Sequence, residues 1–288
     1  MRISETARRG VVFLGVKNAT GAVHFGGTGF LVHYAEQGVN VCYLITCRHV
    51  AEKLAANFVV RANLKAGGSA ELQVEETYWA MPEDPSVDLA ATIFALPGQQ
   101  FEHGYFRLND GLAPESEITC GNPVNIIGLF RLHKGAARNI PIVHSGHIAA
   151  LPDPHERIPA KNSSGQQIEV SAYLIEAQTL DGLSGAPVWV TRFANVPSVK
   201  TSFSHPPIII AGASLLGVYQ ASWEGVASDL LSAERNLALG TRVPVGMGLV
   251  VPAPEIVKLI QSHPGLAERK AEYIKESLRL GVSLATKK

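Results

Sequence analysis

Short segments rich in β-branched and aromatic residues recur along most of the chain, and turn residues separate them. Over residues 72–79 the apolar Leu72, Val74 and Tyr78 alternate with polar residues, as in a strand with one buried face. About a dozen such segments, with few helical stretches between them, predict an all-β barrel or sandwich pair rather than a parallel α/β sheet. The predicted strands are residues 11–16, 30–33, 39–46, 58–62, 72–79, 89–96, 124–128, 140–148, 168–177, 187–190, 208–219 and 247–251.

The end of the chain has a helical pattern instead. Residues 255–261 follow two prolines and predict a short helix, and apolar residues recur at near-helical spacing beyond Pro264. We expect both helices to pack against the second half of the chain, and they are a candidate surface for a partner protein. A polar stretch at 98–116 is the best candidate linker. The predicted units are therefore residues 1–105, 106–252 and a helical segment at 253–288.

Composition and charge narrow the function classes. The 25 Lys and Arg residues balance 25 Asp and Glu residues, so no basic footprint for nucleic acid or for an anionic membrane is expected. With 46% hydrophobic residues and no apolar run long enough to span a membrane, the chain is expected to be soluble and folded. Cys42, Cys47 and Cys120 are an odd set without a C-x-x-C pair. Together with the absence of a secretory signal pattern, they predict free thiols and a cytoplasmic location.

Three local clusters place a reactive side chain at the end of a strand or in a tight turn. His49 follows the apolar strand 39–46, and Asp88 stands at the start of the apolar segment 89–96. Taken singly, each is more often an ordinary strand-end residue. Asp84 competes with Asp88, but only Asp88 is carried into a buried strand, where its charge needs a partner such as an imidazole N–H.

The third cluster, residues 181–188, is more specific. Gly182 and Gly185 flank Ser184, which lets the backbone turn tightly, expose the hydroxyl and direct amide N–H groups at one point. The alternative is a plain Gly/Ser/Pro loop. The order His49, Asp88, Ser184 excludes an α/β-hydrolase, whose order begins with the serine in a G-x-S-x-G turn.

At these residues the chain resembles the trypsin-like (chymotrypsin-fold) serine peptidases, most closely their bacterial, disulfide-free branch such as the high-temperature-requirement proteases. The resemblance extends over about residues 11–260. It rests on the segments Gly27-Thr28-Gly29-Phe30, Leu44-Ile45-Thr46-Cys47-Arg48-His49-Val50, Val87-Asp88-Leu89-Ala90, Gly182-Leu183-Ser184-Gly185-Ala186-Pro187 and Gly246-Met247-Gly248-Leu249-Val250-Val251-Pro252.

The resemblance implies two six-stranded antiparallel β-barrels with a catalytic cleft between them. It implies a serine endopeptidase that cuts protein or peptide substrates through an acyl-enzyme, without a cofactor or metal. Ser184 would be the nucleophile, His49 the base and Asp88 its orienting acid, with the N–H groups of Gly182 and Ser184 as the oxyanion hole. The alternative is a catalytically silent or latent barrel pair that binds peptides through the same cleft.

The resemblance also implies where substrate binds. The floor of the primary pocket corresponds to Gln178, and its wall to Tyr219, Gln220 and Ala221. Because Gln178 carries no charge, we expect a neutral P1 side chain rather than Arg or Lys. Leu183 replaces the aspartate that pairs with a newly cut N-terminus in the digestive members, so activation by that ion pair is not expected.

Two further features stay open at the level of sequence. The insertions at 192–207 and 222–244, the second with a helix-like stretch at 226–237, are candidates for gating the cleft or for ordinary surface loops. His144 and His147, with His155, suggest metal ligands, but three residues apart on a strand they project to opposite faces.

Overall fold

The computed structural model describes residues 5–162, 164–178, 181–196, 208–226 and 242–280, and strands dominate it. The strands of the first half are β1 (Val11–Lys17), β2 (Val23–Glu36), β3 (Val39–Thr46), β4 (Phe58–Asn63), β5 (Ser69–Val74), β6 (Ala90–Ile93) and β7 (Phe106–Arg107). Those of the second half are β8 (Pro123–Gly128), β9 (Ile142–Ala150), β10 (Ile158–Lys161), β11 (Gln167–Val170), β12 (Tyr173–Ala177), β13 (Pro187–Val196), β14 (Ile208–Val226) and β15 (Arg242–Pro252).

Helices are few and short except at the end of the chain. The α-helices are α1 (Glu5–Arg9), α2 (Arg48–Leu54), α3 (Leu108–Gly111), α4 (Ala253–Ser262) and α5 (Pro264–Arg279), with 3-10 turns at Glu115–Glu117 and Arg131–His133. No helix among the described residues is long and apolar enough to cross a membrane.

The second half closes into the predicted six-stranded antiparallel barrel, in the order β12-β15-β14-β13-β8-β9. The pairing of β12 with β9, from Leu174↔Ala150 to Ala177↔Gly146, completes the ring. Inward-facing side chains from all six strands, such as Ile126, Val188 and Val250, form its own core cluster. A separate hairpin, β10–β11, leaves this barrel between β9 and β12.

The first half is not the second closed barrel that the sequence predicts. It is a seven-stranded sheet in the order β5-β4-β1-β2-β3-β6, with β7 added in parallel beside β2. The edge strands β5 and β6 do not pair with each other in the described first half. β6 has only four residues, and β5 alternates between half-buried and exposed positions, so neither offers a long buried partner for closure.

The C-terminal helices contact both halves of the molecule. Helix α5 packs on the first sheet against β3 and β6, whereas α4 contacts β14 and β15 of the barrel as well as β6, so the expected packing on the second half is found for α4 only. Their buried residues Ile256, Leu259, Leu266 and Ile274 belong to the same core cluster as β1 to β4. Lys270 on α5 forms an ion pair of 2.7 Å with Glu36 at the end of β2. The sequence shows that these helices have an apolar face, but which sheet covers it depends on the tertiary fold.

Strand positions agree well with the sequence pattern where burial is continuous. Strand β3 has the predicted bounds, residues 39–46, whereas the predicted strand 168–177 is split between β11 and β12. Strand β10 and helix α2 were not predicted. Most of the two insertions, including the helix-like stretch at 226–237, lies outside the described residues. The unit boundary after residue 105 stays a prediction, and β7 just beyond it pairs with the first sheet.

Candidate active site

His49 and Asp88 are brought together by the pairing of two neighbouring strands. His49 lies in the first turn of α2, directly after β3, and Asp88 precedes β6. Because β3 and β6 pair with Thr46 opposite Ala90, the residues that follow β3 and precede β6 meet at one end of the sheet. The Asp88 side chain accepts the backbone N–H of His49 on Oδ1 at 2.9 Å, and its Oδ2 lies 2.7 Å from His49 Nδ1.

This two-point contact favours one tautomer of the imidazole. A carboxylate offers only acceptors, so in the neutral ring Nδ1 carries the proton and Nε2 has the lone pair. An imidazole held in this tautomer by an acid is equipped to remove a proton from a neighbouring alcohol. Asp84, the competing carboxylate, accepts the backbone N–H of Ser86 instead, and these contacts to Ser86 lower its pKa.

Ser184 lies in a tight turn between β12 and β13 of the closed barrel. Gly182 and Gly185 adopt the left-handed region with φ of 101° and 86°. A Cβ on Gly185 would lie 2.1 Å from the Thr28 carbonyl oxygen and 2.2 Å from Thr46 Oγ1, so this position accepts only glycine. Leu183 is fully buried in the barrel core, which anchors the turn with an apolar side chain rather than an ion pair.

Thr28 on β2 joins the turn that carries Ser184 to the first sheet. Its N–H donates to the Ser184 carbonyl at 3.0 Å, and its hydroxyl donates to the Gly182 carbonyl at 2.7 Å while accepting the Leu129 N–H at 2.8 Å. Its own carbonyl accepts the Thr46 hydroxyl at 2.8 Å. Thr28 is completely buried. The one local signal of this role is a threonine between two glycines, directly before the predicted strand 30–33.

Cys47 forms a second link between the two halves. Its thiol donates to the Tyr219 carbonyl at 3.2 Å, and that carbonyl also accepts the N–H of Gly185 at 2.9 Å. The loop that carries His49 and the turn that carries Ser184 are therefore tied to the same carbonyl group.

Cys47, His49 and Asp88 also form a group of potential metal ligands, with their ligand atoms within 4.8 Å of one another. The donors are already committed, because Asp88 and His49 bind each other and the thiol donates to a carbonyl. Burial, and then the charge of Asp88, raises the pKa of the Cys47 thiol well above its usual value, which disfavours the thiolate that a metal requires. The geometry fits a charge-orienting pair better than a metal site.

Ser184 and the His49 ring do not hydrogen-bond to each other within the described structure. The Thr28, Thr46 and Cys47 contacts hold the serine turn against the end of β3, the strand that leads to His49. Catalytic hydrogen bonds often form only when substrate is bound. Among the described residues, the backbone N–H groups of Gly182 and Ser184 have no hydrogen-bond acceptor.

The predicted substrate-binding residues divide between two cavities. Gln220 and Ala221 line a cavity of about 240 Å³ that also contains His49 and Asp88. Gln178 lines a larger cavity of about 690 Å³ on the closed barrel. Tyr219 contributes its backbone, since its side chain is 2% exposed and lies in the barrel core.

The larger cavity contains Glu176, which sequence reasoning missed, and His147, which it considered only as a metal ligand. Glu176 lies two residues before Gln178 on β12, and His147 is its partner on β9. The period of a strand places residues two apart on one face, which is the signal that would have found Glu176. The neutral P1 side chain, inferred from Gln178 alone, stays a prediction.

Comparisons with known proteins gave structural matches only. No family model matches the chain, and no curated protein does. The chain is similar to the crystal structure of the active form of the Rv3671c protease from M. tuberculosis, with 17% identity and a TM-score of 0.47, covering 90% of this chain and 82% of that one. It is also similar to the inactive form of the Rv3671c protease, with 16% identity and a TM-score of 0.46, covering 90% of each chain.

Proposed function

We propose that this protein is a serine endopeptidase that hydrolyses peptide bonds through a triad of Ser184, His49 and Asp88. The observation that carries the proposal is the two-point contact of Asp88 with His49, which fixes the imidazole with Nε2 free to act as a base. The glycine-dependent turn around Ser184 supports it, because that turn is tied to the strand that leads into His49.

The proposed reaction has two halves. Ser184 Oγ attacks the scissile carbonyl carbon while His49 Nε2 takes its proton, and Asp88 stabilises the imidazolium that forms. The N–H groups of Gly182 and Ser184 receive the negative carbonyl oxygen. His49 then returns the proton to the leaving amine, and a water molecule repeats the sequence on the acyl-enzyme to release the acid.

A second candidate function is a silent barrel and sheet that binds peptides in the same place. One observation favours it, namely that Ser184 and His49 share no hydrogen bond in the described structure. In this second function the cleft binds peptides, and Ser184 carries out no reaction.

Labelling with a fluorophosphonate probe separates the two candidates, because phosphonylation requires an activated alcohol. We expect a single adduct on intact protein by mass spectrometry, absent in Ser184→Ala and formed at least about 10³-fold more slowly in Asp88→Asn. Ser145→Ala is the matched control, since it removes another barrel hydroxyl that only donates to Asn125, and it should label normally.

Two outcomes would contradict the proposal. An adduct that persists in Ser184→Ala would place the reactive group elsewhere. Unlabelled, folded wild-type protein that still binds peptides would favour the silent module.

A further inference from the structure

The cavity beside His49 is built from both halves of the molecule. Pro85 and Lys53 come from the first half, Gln220 from strand β14, and Lys161 and Asn162 from the β10–β11 hairpin. Its volume of about 240 Å³ is smaller than that of a typical small-molecule site and suits one long side chain. Because His49 and Asp88 also line it, any group in this cavity lies next to the imidazole.

The hairpin that lines the cavity is anchored on the barrel. Ile158 and Ile168 pack on a small apolar cluster with Val170 and Leu249. Near the tip, the Asn162 side chain accepts the backbone N–H groups of Ser164 at 3.1 Å and Gln166 at 2.9 Å. Lys161, next to Asn162, pairs with Gln167 in the hairpin, so a hydrogen-bonded strand positions its backbone.

The cavity gathers positive charge in a chain whose overall charge is zero. Arg48, Lys53 and Lys161 line it, and none of them forms an ion pair within the described residues. The Arg48 guanidinium donates to the Pro82 carbonyl, and its Nε is buried without a partner. The one carboxylate in the lining, Asp88, has both oxygens bound to His49.

The neighbouring Asp84 is engaged elsewhere. In the loop next to Pro85, it accepts the backbone N–H of Ser86 and is attracted to Arg157 and Lys258. Apart from Asp88, whose oxygens bind His49, the lining of the cavity contains three cations and no carboxylate.

We infer that this cavity binds an acidic side chain, Asp or Glu, of the peptide substrate beside the scissile bond, at a position other than P1, because the predicted P1 floor residue Gln178 lines the separate larger cavity. That the bound peptide is a substrate rests on the proposed function, but binding of an acidic peptide in this cavity does not require hydrolysis. Lys161 and Lys53 supply the charge, and the hairpin acts as the wall that sets the position. Because both lysines are exposed, their attraction to the acid weakens with ionic strength.

Peptide binding to the Ser184→Ala protein tests the inference without catalysis. A pool of random short peptides is incubated with the immobilised full chain, and the retained peptides are sequenced. We expect Asp and Glu to be enriched at one position, and peptides carrying them to bind about tenfold more weakly to Lys53→Glu/Lys161→Glu. Lys17→Glu is the matched control, since it changes charge at the β1–β2 hairpin outside the cavity and should keep the enrichment.

The outcomes for this cavity and for the peptidase are separable. Fluorophosphonate labelling with cleavage sites that show no acidic preference would overturn the cavity assignment and leave the peptidase standing. Acidic enrichment without any labelling would support the cavity and contradict the peptidase. Enrichment that survives the double lysine substitution would also overturn the assignment, because the charge would then come from elsewhere.

Discussion

The two β units of this protein differ in how they hold their part of the site. The second unit is a closed barrel, and the turn that carries Ser184 is shaped by two left-handed glycines and a leucine buried in the barrel core. The first unit is an open sheet, and it positions His49 and Asp88 by the pairing of β3 with β6 and by a side-chain contact of 2.7 Å.

The difference assigns different sensitivities to the two halves. The turn that carries Ser184 depends on its backbone conformation, so substitutions that add a Cβ there should strongly reduce stability. The orientation of the His49 ring depends on side-chain hydrogen bonds, so substitutions that remove one acceptor should reduce the proposed activity more than stability. Thr28 combines a backbone and a side-chain contact, because its N–H and its hydroxyl each donate to a carbonyl of the turn that carries Ser184.

The largest effect is expected for Gly185→Ala. The added Cβ would lie 2.1 Å from the Thr28 carbonyl oxygen, and the alanine would have to adopt a φ of 86°. We therefore expect the free energy of unfolding to fall by about 3 kcal/mol or more. We also expect no labelling by the fluorophosphonate probe. Gly121→Ala is the control, because its φ is 84° but its Cβ would meet nothing within 4 Å. It should lose about 1 kcal/mol in urea unfolding. Equal losses for the two variants would show that the close approach of Thr28 is unimportant.

Removing the Thr28 hydroxyl should have an intermediate effect. Thr28→Val leaves the Gly182 carbonyl and the Leu129 N–H unpaired in a buried place, which costs about 2 kcal/mol. Because Gly182 is a proposed oxyanion donor, kcat for peptide hydrolysis should fall by about tenfold or more, and Thr28→Ser should restore it. A Thr28→Val protein that is less stable but turns over normally would limit Thr28 to a structural role.

The smallest effect concerns the open sheet alone. Burial, followed by the charges of His103 and Arg107, lowers the pKa of His33 on β2 to about 4 from 6.5. Between these pH values the unfolded chain binds a proton that the folded chain does not, so stability should fall as pH drops from 6.5 towards 4. His33→Gln should make this fall shallower, measured by urea unfolding across that range, while above pH 6.5 the two proteins should run parallel. An unchanged slope would mean that other groups control acid stability.

The candidate site was more visible in the sequence than the fold around it. Ser184 between two glycines, His49 after a strand and Asp88 before one carry local signals, because tight turns and strand ends constrain residue type. Thr28 carries no comparable signal, since its partners lie 101 and 154 residues away. Strand β10 was missed because Pro159 argues against a central strand, and in a two-stranded hairpin it is tolerated.

Closure of the first unit was the main error in the fold, and it has a local cause. Between β5 and β6 the chain has no strand over residues 75–89, where Pro82 and Pro85 interrupt the pattern. The period of the flanking strands says which face is buried but not whether the two edges meet. Only the register of the whole sheet decides that, and register is a tertiary property.

The contribution of α4 and α5 to the core of the first sheet has a consequence for how this protein is made. These helices supply Ile256, Leu259, Leu266 and Ile274 to the core of strands that precede them by about two hundred residues. On the ribosome, the N-terminal sheet must therefore wait with an uncovered apolar surface until the last helices emerge. Chaperone dependence during translation should accordingly track this sheet rather than the barrel, whose core residues all lie within its own stretch of chain.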